Sequence, residues 1–148
     1  MNDAVSPCFG ERRPGIDYIR RPGAYGVIRD GQGRIGIVEV HGVYHLPGGG
    51  IDAGEDPRAA LEREVREETG WTVEILRSLG TAIDYYDKSD GSKHLEKVDS
   101  FFTARRTGEH VERVEGTHHP LWVTPEQFRA KALFPGHVWA LEQALHES

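Results

Sequence analysis

The stretch from Gly49 to Trp71 limits what this chain can fold into more than any other part of it. It opens on Gly49-Gly50 and runs through Ile51-Asp52-Ala53-Gly54-Glu55 into a helix whose two ends are legible. Asp56 is a helix-capping residue, Pro57 suits the first helical position, and Gly70 is the residue that ends a helix most easily. Between them Glu64, Glu67 and Glu68 fall at i, i+3 and i+4, so a helix gathers all three carboxylates on one face. Leu61 and Val65 lie one turn apart beside that face and give the helix an apolar stripe to bury. Each pair of like charges costs a helix about 0.2–0.5 kcal/mol. A multivalent cation turns that cost into a gain. Hard cations such as Mg²⁺ take carboxylate oxygens and share their remaining positions with water and substrate phosphates.

Strands are expected on both sides of this helix. Ala24–Ile28 and Arg34–Val40 read as a hairpin around Asp30-Gly31-Gln32-Gly33, and Val43–Leu46 as a third strand stopped by Pro47 and the glycines. Trp71–Leu79, Thr81–Tyr86, Val98–Arg105 and Leu121–Val123 read as further strands, with a polar loop over Asp87–Lys93. Thr124-Pro125 starts a helix to about Ala132, and a last helix runs from His137 to about His146 after Pro135-Gly136. Residues 1–15, with Pro7, Gly10, Pro14 and Gly15, read as a flexible N-terminal arm, and 16–148 as a single domain. Strands before and after a central helix, with helices at the end, suggest a sheet sandwiched by helices.

Composition narrows the function. A chain of 148 residues is long enough to bury one core. A net charge of −6 disfavours an extended nucleic-acid surface or an anionic membrane surface. Cys8 is the only cysteine, so neither an internal disulfide nor a Cys-based zinc site can form. No apolar run approaches a membrane span, and Met1–Arg13 lacks the apolar core of a secretory signal. A reducing cytoplasm is the expected location.

The stretch resembles the signature of the Nudix hydrolases at every defined position: Gly49, Glu55, Arg63, Glu64, Val65, Glu67, Glu68, Gly70 and Trp71. The flanks are similar to the family too, with Leu46-Pro47-Gly48 leading in and Leu121-Trp122-Val123-Thr124-Pro125 following. The rest resembles small MutT-like pyrophosphohydrolases. The resemblance implies an α+β fold, an α/β/α sandwich with a mixed β-sheet. It also implies Mg²⁺-dependent hydrolysis, with Mn²⁺ as a substitute, of a nucleoside diphosphate linked to another moiety.

The chemistry suits these residues. Phosphate oxygens repel a nucleophile, and metal ions neutralise them, align them and lower the pKa of bound water. Glu64, Glu67 and Glu68 are the expected metal ligands, joined by resemblance by the Gly48 carbonyl. Gly49 and Gly50 allow close approach of backbone to phosphate. Glu64 is the candidate for orienting or deprotonating the attacking water. Arg63, four residues before Glu67, can pair with it or swing to Glu64 or Glu55 and so orient the acids. Glu55, just before the helix, is favoured by free amides there and can stabilise the loop or reach a metal through water. The resemblance also implies a further ligand from outside the stretch, with Glu109, Glu112 and Glu115 as candidates; Glu115, seven residues before Trp122, stands close to where the family places it.

Other residues have plainer readings. His118 and His119 fit an exposed loop better than a metal site, and His137 and Trp139 fit packing better than a pocket. Only one of Tyr85 and Tyr86 can face a cleft, since they alternate along a strand. Arg20 and Arg21 read as a solvated pair. The favoured partner is a small-molecule nucleotide, a triphosphate above a nucleotide sugar or dinucleoside polyphosphate, and a homodimer is left open. Capped or triphosphorylated RNA is disfavoured by the acidic balance. The competing classes are a nucleotide-sensing domain without turnover and an isomerase on the same fold.

Overall fold

The computed structural model describes residues 6–109 and 117–147. Its strands are β1 (Cys8–Phe9), β2 (Ile19–Arg29), β3 (Ile35–Val40), β4 (Val43–His45), β5 (Gly48–Gly50), β6 (Trp71–Asp87), β7 (His94–Glu109) and β8 (His119–Val123). Helix α1 (Pro57–Thr69) follows β5, and α2 (Pro125–Lys131) and α3 (Pro135–His146) close the chain. The sheet order is β1-β6-β7-β2-β3-β4, with β5 added to β2 and β8 to β3. It is mixed: β2 runs parallel to β7 from Ile19↔Leu95 to Ile28↔Ala104, whereas β6 and β7 form a long antiparallel hairpin.

Helix α1 has the ends its sequence predicts. The Asp56 carboxylate accepts from the Arg58 and Ala59 amides, Pro57 opens the first turn, and Gly70 closes the helix at φ 79° while its N–H donates to Arg66 O. Helix α2 begins with a reciprocal pair in which the Thr124 hydroxyl accepts from Gln127 N and the Gln127 side chain accepts from Thr124 N.

Each face of the sheet carries its own core, which makes the molecule a sandwich. Ala60, Leu61 and Val65 of α1 pack with Ala24, Ile28, Phe102 and Ala104 on one face. Phe128 of α2 and Ala140, Leu141 and Ala144 of α3 pack with Val27, Ile37 and Phe101 on the other. Neighbours such as Val27 and Ile28, or Phe101 and Phe102, serve opposite cores because successive strand residues point to opposite faces.

Several elements extend past their sequence bounds. β2 starts at Ile19 rather than Ala24, because Pro22 needs no amide partner there and its carbonyl accepts from Ile51 N. β6 continues through Gly80, where the sequence suggests a break; a register shift between Ser78 and Gly80 absorbs the glycine at φ 110°. β7 begins at His94, four residues before the expected start, and α3 begins at Pro135. Within the segment read as a loose arm, Cys8 and Phe9 pair in parallel with Ile83 and Asp84 of β6.

Candidate functional site

Strand β5 and helix α1 bring the glycines against the acids. Gly48 sits at φ 146°, and a Cβ there would lie 2.2 Å from the Ala24 carbonyl oxygen, so only glycine fits. Its N–H donates to Glu68 Oε1 at 2.9 Å. A Cβ on Gly49 would come within 2.5 Å of Glu64 Cδ, so the Glu64 carboxylate lies directly on the glycine backbone.

Arg63 does at once what the sequence offers as alternatives. Its Nε and Nη2 donate to the two Glu55 oxygens at 2.9 Å each, Nη1 donates to Glu64 Oε1 at 3.0 Å and Glu67 Oε1 at 3.1 Å, and Nη2 reaches Gly50 O at 3.2 Å. One planar guanidinium therefore joins three carboxylates to the glycine turn. The Arg63 bond, supported by the Asp52 amide, lowers the Glu55 pKa to about 2, and the Glu55 pairing holds Arg63 above its ordinary range. Glu68 also meets His118 Nε2 at 3.3 Å from its Oε2. His118, read from sequence as a plain loop residue, thus touches a predicted ligand.

Part of this assembly lines one side of a cleft of about 600 Å³. Glu64, Glu68 and Gly48–Gly50 reach it, whereas Glu67, held back by Arg63, does not. Glu109 ends β7 opposite Trp71, and Glu112 and Glu115 lie outside the described residues. Among the described residues no three His, Cys, Asp or Glu side chains are grouped to hold a metal. The donor set nonetheless suits a hard cation, which binds through one or two carboxylates and completes its shell with water and substrate oxygens. Glu64 and Glu68 beside a glycine backbone supply that much.

The remaining wall is mostly invisible in the sequence. Lys97 and Asp99, two apart on β7, share one face, with Lys97 Nζ 3.1 Å from Asp99 Oδ2 and 3.3 Å from the Tyr25 hydroxyl. Lys97 is 7% and Asp99 1% exposed. The ammonium lies over the rings of Phe134 and Tyr25 at 4.4 and 4.9 Å. Burial lowers the His45 pKa to about 4, with Lys97 adding to the effect, so that ring is neutral at pH 7. Tyr86 faces the cleft while Tyr85 turns away to bond Glu96. Arg21 lines the cleft and Arg20 reaches Glu96 at 3.7 Å. His137 is fully buried and accepts from Leu46 N through Nδ1 at 3.1 Å, anchoring the lead into the glycine turn; burial drives its pKa far down. Lys97 and Asp99 are opposite charges at i, i+2, which share a strand face, but β7 carries other charges such as Glu96, Arg105 and Arg106, so the pair does not stand out in the sequence.

An α/β/α sandwich in which a glycine turn and an acidic helix face one cleft, with an arginine clamp joining the two, defines a class of protein. The NUDIX domain family model matches residues 19–143, and the chain belongs to that family. It is 32% identical over 108 residues to "Nudix hydrolase 26, chloroplastic" of Arabidopsis thaliana, covering 61% of this chain and 50% of the relative. It is 29% identical over 147 residues to an RNA pyrophosphohydrolase of Novosphingobium aromaticivorans, covering 86% and 85%. The chain spans about half the length of the first curated relatives it matches. Among solved structures, a NUDIX hydrolase from Nitrosomonas europaea superposes with a TM-score of 0.73 at 17% identity, covering 87% of this chain and 90% of that one. A MutT NUDIX hydrolase from Burkholderia pseudomallei gives 0.66 at 26%, covering 84% and 98%. No helix among the described residues is long and apolar enough to cross a membrane.

Proposed function

We propose that this chain is a divalent-metal-dependent pyrophosphohydrolase acting on a nucleoside diphosphate linked to another group, with a nucleoside triphosphate as the favoured substrate. The observation that carries the reading is the Arg63 clamp, which holds Glu55, Glu64 and Glu67 around the glycine turn at 2.9–3.1 Å. The family match over 19–143 supports reading 16–148 as one hydrolase domain, and the single cysteine suits a reducing compartment such as the cytoplasm.

Glu64 and Glu68, which reach the cleft, and the Gly48 carbonyl are the residues that would hold Mg²⁺ or Mn²⁺; Glu67, which would have to leave Arg63 to join them, and Glu115 from outside the helix complete the proposed set. When bound, the ions neutralise the phosphates and acidify water. The chain's own residues do the rest. Gly49 and Gly50 admit the diphosphate to the backbone. Arg63 fixes the Glu64 carboxylate, and Glu64 orients the attacking water and takes its proton. Glu55 holds Arg63 in place through two parallel bonds, which fix its plane as well as its position. The attack breaks one phosphoanhydride bond, and two phosphate-bearing products leave.

A second substrate reading, a 5′-triphosphorylated RNA end, is favoured by one finding: several relatives are named RNA pyrophosphohydrolase. The acidic balance that disfavours an extended RNA surface does not oppose a site for a single terminal nucleotide.

The test is product release from a panel of nucleoside triphosphates, nucleotide sugars, dinucleoside polyphosphates and a 5′-triphosphorylated RNA, with Mg²⁺ and with chelator. Hydrolysis that needs metal and falls at least 100-fold in Glu64→Gln is expected. Binding without turnover of any member would replace this reading with that of a sensor.

A further inference from the structure

Away from the acidic helix, the cleft floor carries a donor and an acceptor side by side with bonding capacity to spare. Lys97 has three N–H donors, and its two bonds among the described residues go to Asp99 Oδ2 and the Tyr25 hydroxyl. Asp99 Oδ1 takes no hydrogen bond among the described residues. It lies over Gly23, where a Cβ would come within 2.5 Å of it, so a side chain at that position would displace Oδ1. Both residues are almost fully buried, yet both line the cleft. A buried ion pair with unmet capacity is costly to leave unsatisfied, so it discriminates strongly in favour of a ligand that satisfies it.

The surroundings specify what that ligand is. Phe134 meets Tyr86 edge-on at 5.1 Å and His45 at 5.4 Å, giving an aromatic wall beside the pair. A flat ring with polar edges fits a floor of charges and a wall of rings. Its edge must offer an acceptor to the ammonium next to a donor for the carboxylate. Guanine presents O6 beside N1–H and the 2-amino group, which is one acceptor for Lys97 and two adjacent donors for Asp99. Uracil offers the acceptor and only one donor on a smaller ring. Adenine offers a ring nitrogen in place of the more polar carbonyl oxygen.

We propose that Lys97 and Asp99 are a base-reading pair and that the cleft selects guanine nucleotides. This rests on the pyrophosphohydrolase reading above for the placing of the diphosphate at Gly48–Gly50, while the base subsite can be tested without it. Its residues, Lys97, Asp99, Phe134, Tyr86 and His45, come from β7, β6, β4 and the start of α3, and belong to neither the glycine turn nor the acidic helix.

The experiment is calorimetric titration of the protein with GMP, UMP and AMP, which hold no anhydride and cannot be turned over, followed by kinetics with GTP and ATP. The expected result is GMP binding at least 10-fold tighter than AMP, with UMP between them. In Asp99→Asn that preference collapses to less than 3-fold by loss of GMP affinity alone. With GTP the same substitution raises KM more than it lowers kcat, and the KM for GTP rises several-fold more than that for ATP. Lys97→Met with Asp99→Asn removes both charges together, so it avoids stranding one of them and guards against a folding defect; a thermal melt checks each variant, and this double variant is expected to show the same collapse. Equal binding of GMP and AMP, no binding of either, or an equal loss for both in a folded variant overturns the proposal. Selective GMP binding without hydrolysis of any triphosphate would leave the subsite standing and remove the enzymatic reading instead.

Discussion

Adjacent glycines make the sharpest test of how the Glu64 carboxylate is held. Gly49 and Gly50 both belong to β5, but their surroundings differ. A Cβ on Gly49 would meet Glu64 Cδ at 2.5 Å and Oε2 at 2.6 Å, whereas a Cβ on Gly50 would meet nothing within 4 Å. Ordinary contact begins near 3.4 Å, so Gly49→Ala forces the Glu64 carboxylate back by about 0.9 Å. The group that gives way is the far end of a flexible side chain, so the fold loses little. Gly→Ala also restricts the unfolded chain, which is worth about 0.4–1 kcal/mol where the backbone is compatible. Catalysis does not share this tolerance: a displacement of about 1 Å at a positioned group can cost on the order of 100-fold in rate. Gly49→Ala is therefore expected to keep its melting temperature within a few degrees of wild type and lose about 100-fold in kcat with Mg²⁺ and the best substrate of the panel. Gly50→Ala, which leaves Glu64 in place, is expected to keep the same melting temperature and to show its loss in KM rather than kcat, since its methyl meets only the approaching diphosphate. Full activity in Gly49→Ala would refute the reasoning, because it would mean that the position of Glu64 against the glycine backbone does not matter to the reaction.

Other consequences concern stability. Leu61 is fully buried beneath β2, with a methyl 3.4 Å from where a Gly26 Cβ would lie, so Leu61→Ala should cost about 2–5 kcal/mol by urea denaturation, against about 0.5 for exposed Leu76→Ala. Asp56→Ala removes the acceptor for two helix amides and should cost about 1 kcal/mol, read as a drop of about 2–4 °C in Tm. Burial raises the Asp84 pKa to about 6, against a reference of 3.8, so the folded state binds more protons than the unfolded between those values. Its contribution to stability therefore falls as pH rises from about 4 to 6 and is level above that. Asp84→Asn keeps an acceptor for Gly136 N and should flatten that fall in urea midpoints measured from pH 4 to 7; an unchanged slope would show that Asp84 is not its source.

The acidic half of the site was legible because it is local. Asp56, Pro57 and Gly70 fix the ends of one helix, and a period of 3.6 residues then dictates where Glu64, Glu67 and Glu68 lie. The sandwich was legible for a similar reason, since helix and strand periods differ. What sequence reasoning missed is assembled across distance. Lys97 reaches the cleft only because β7 extends to His94 and pairs in parallel with β2, and Phe134 joins it from the far end of the chain. No local period encodes a meeting between residues so far apart. The split expected in β6 at Gly80 failed for a related reason: glycine weakens a strand on its own, but a partner strand on one side carries the ladder past it. The bond from His118 to Glu68 likewise depends on how β8 lies along β3.

Helix α3 is fastened twice in its first turn. The Gly136 amide donates to Asp84 on the sheet, packed so closely that a Cβ on Gly136 would lie 2.3 Å from the carboxylate, and His137 takes the Leu46 amide just ahead of the glycine turn. Phe134 and the approach to Gly48 are thus tied to one rigid body, like a jamb and its sill. Any adjustment of the opening to a bulkier guest must come from the opposite bank, where the hairpin tip bearing Lys88 is closed by its own backbone bond to Lys93 and stands clear of both cores.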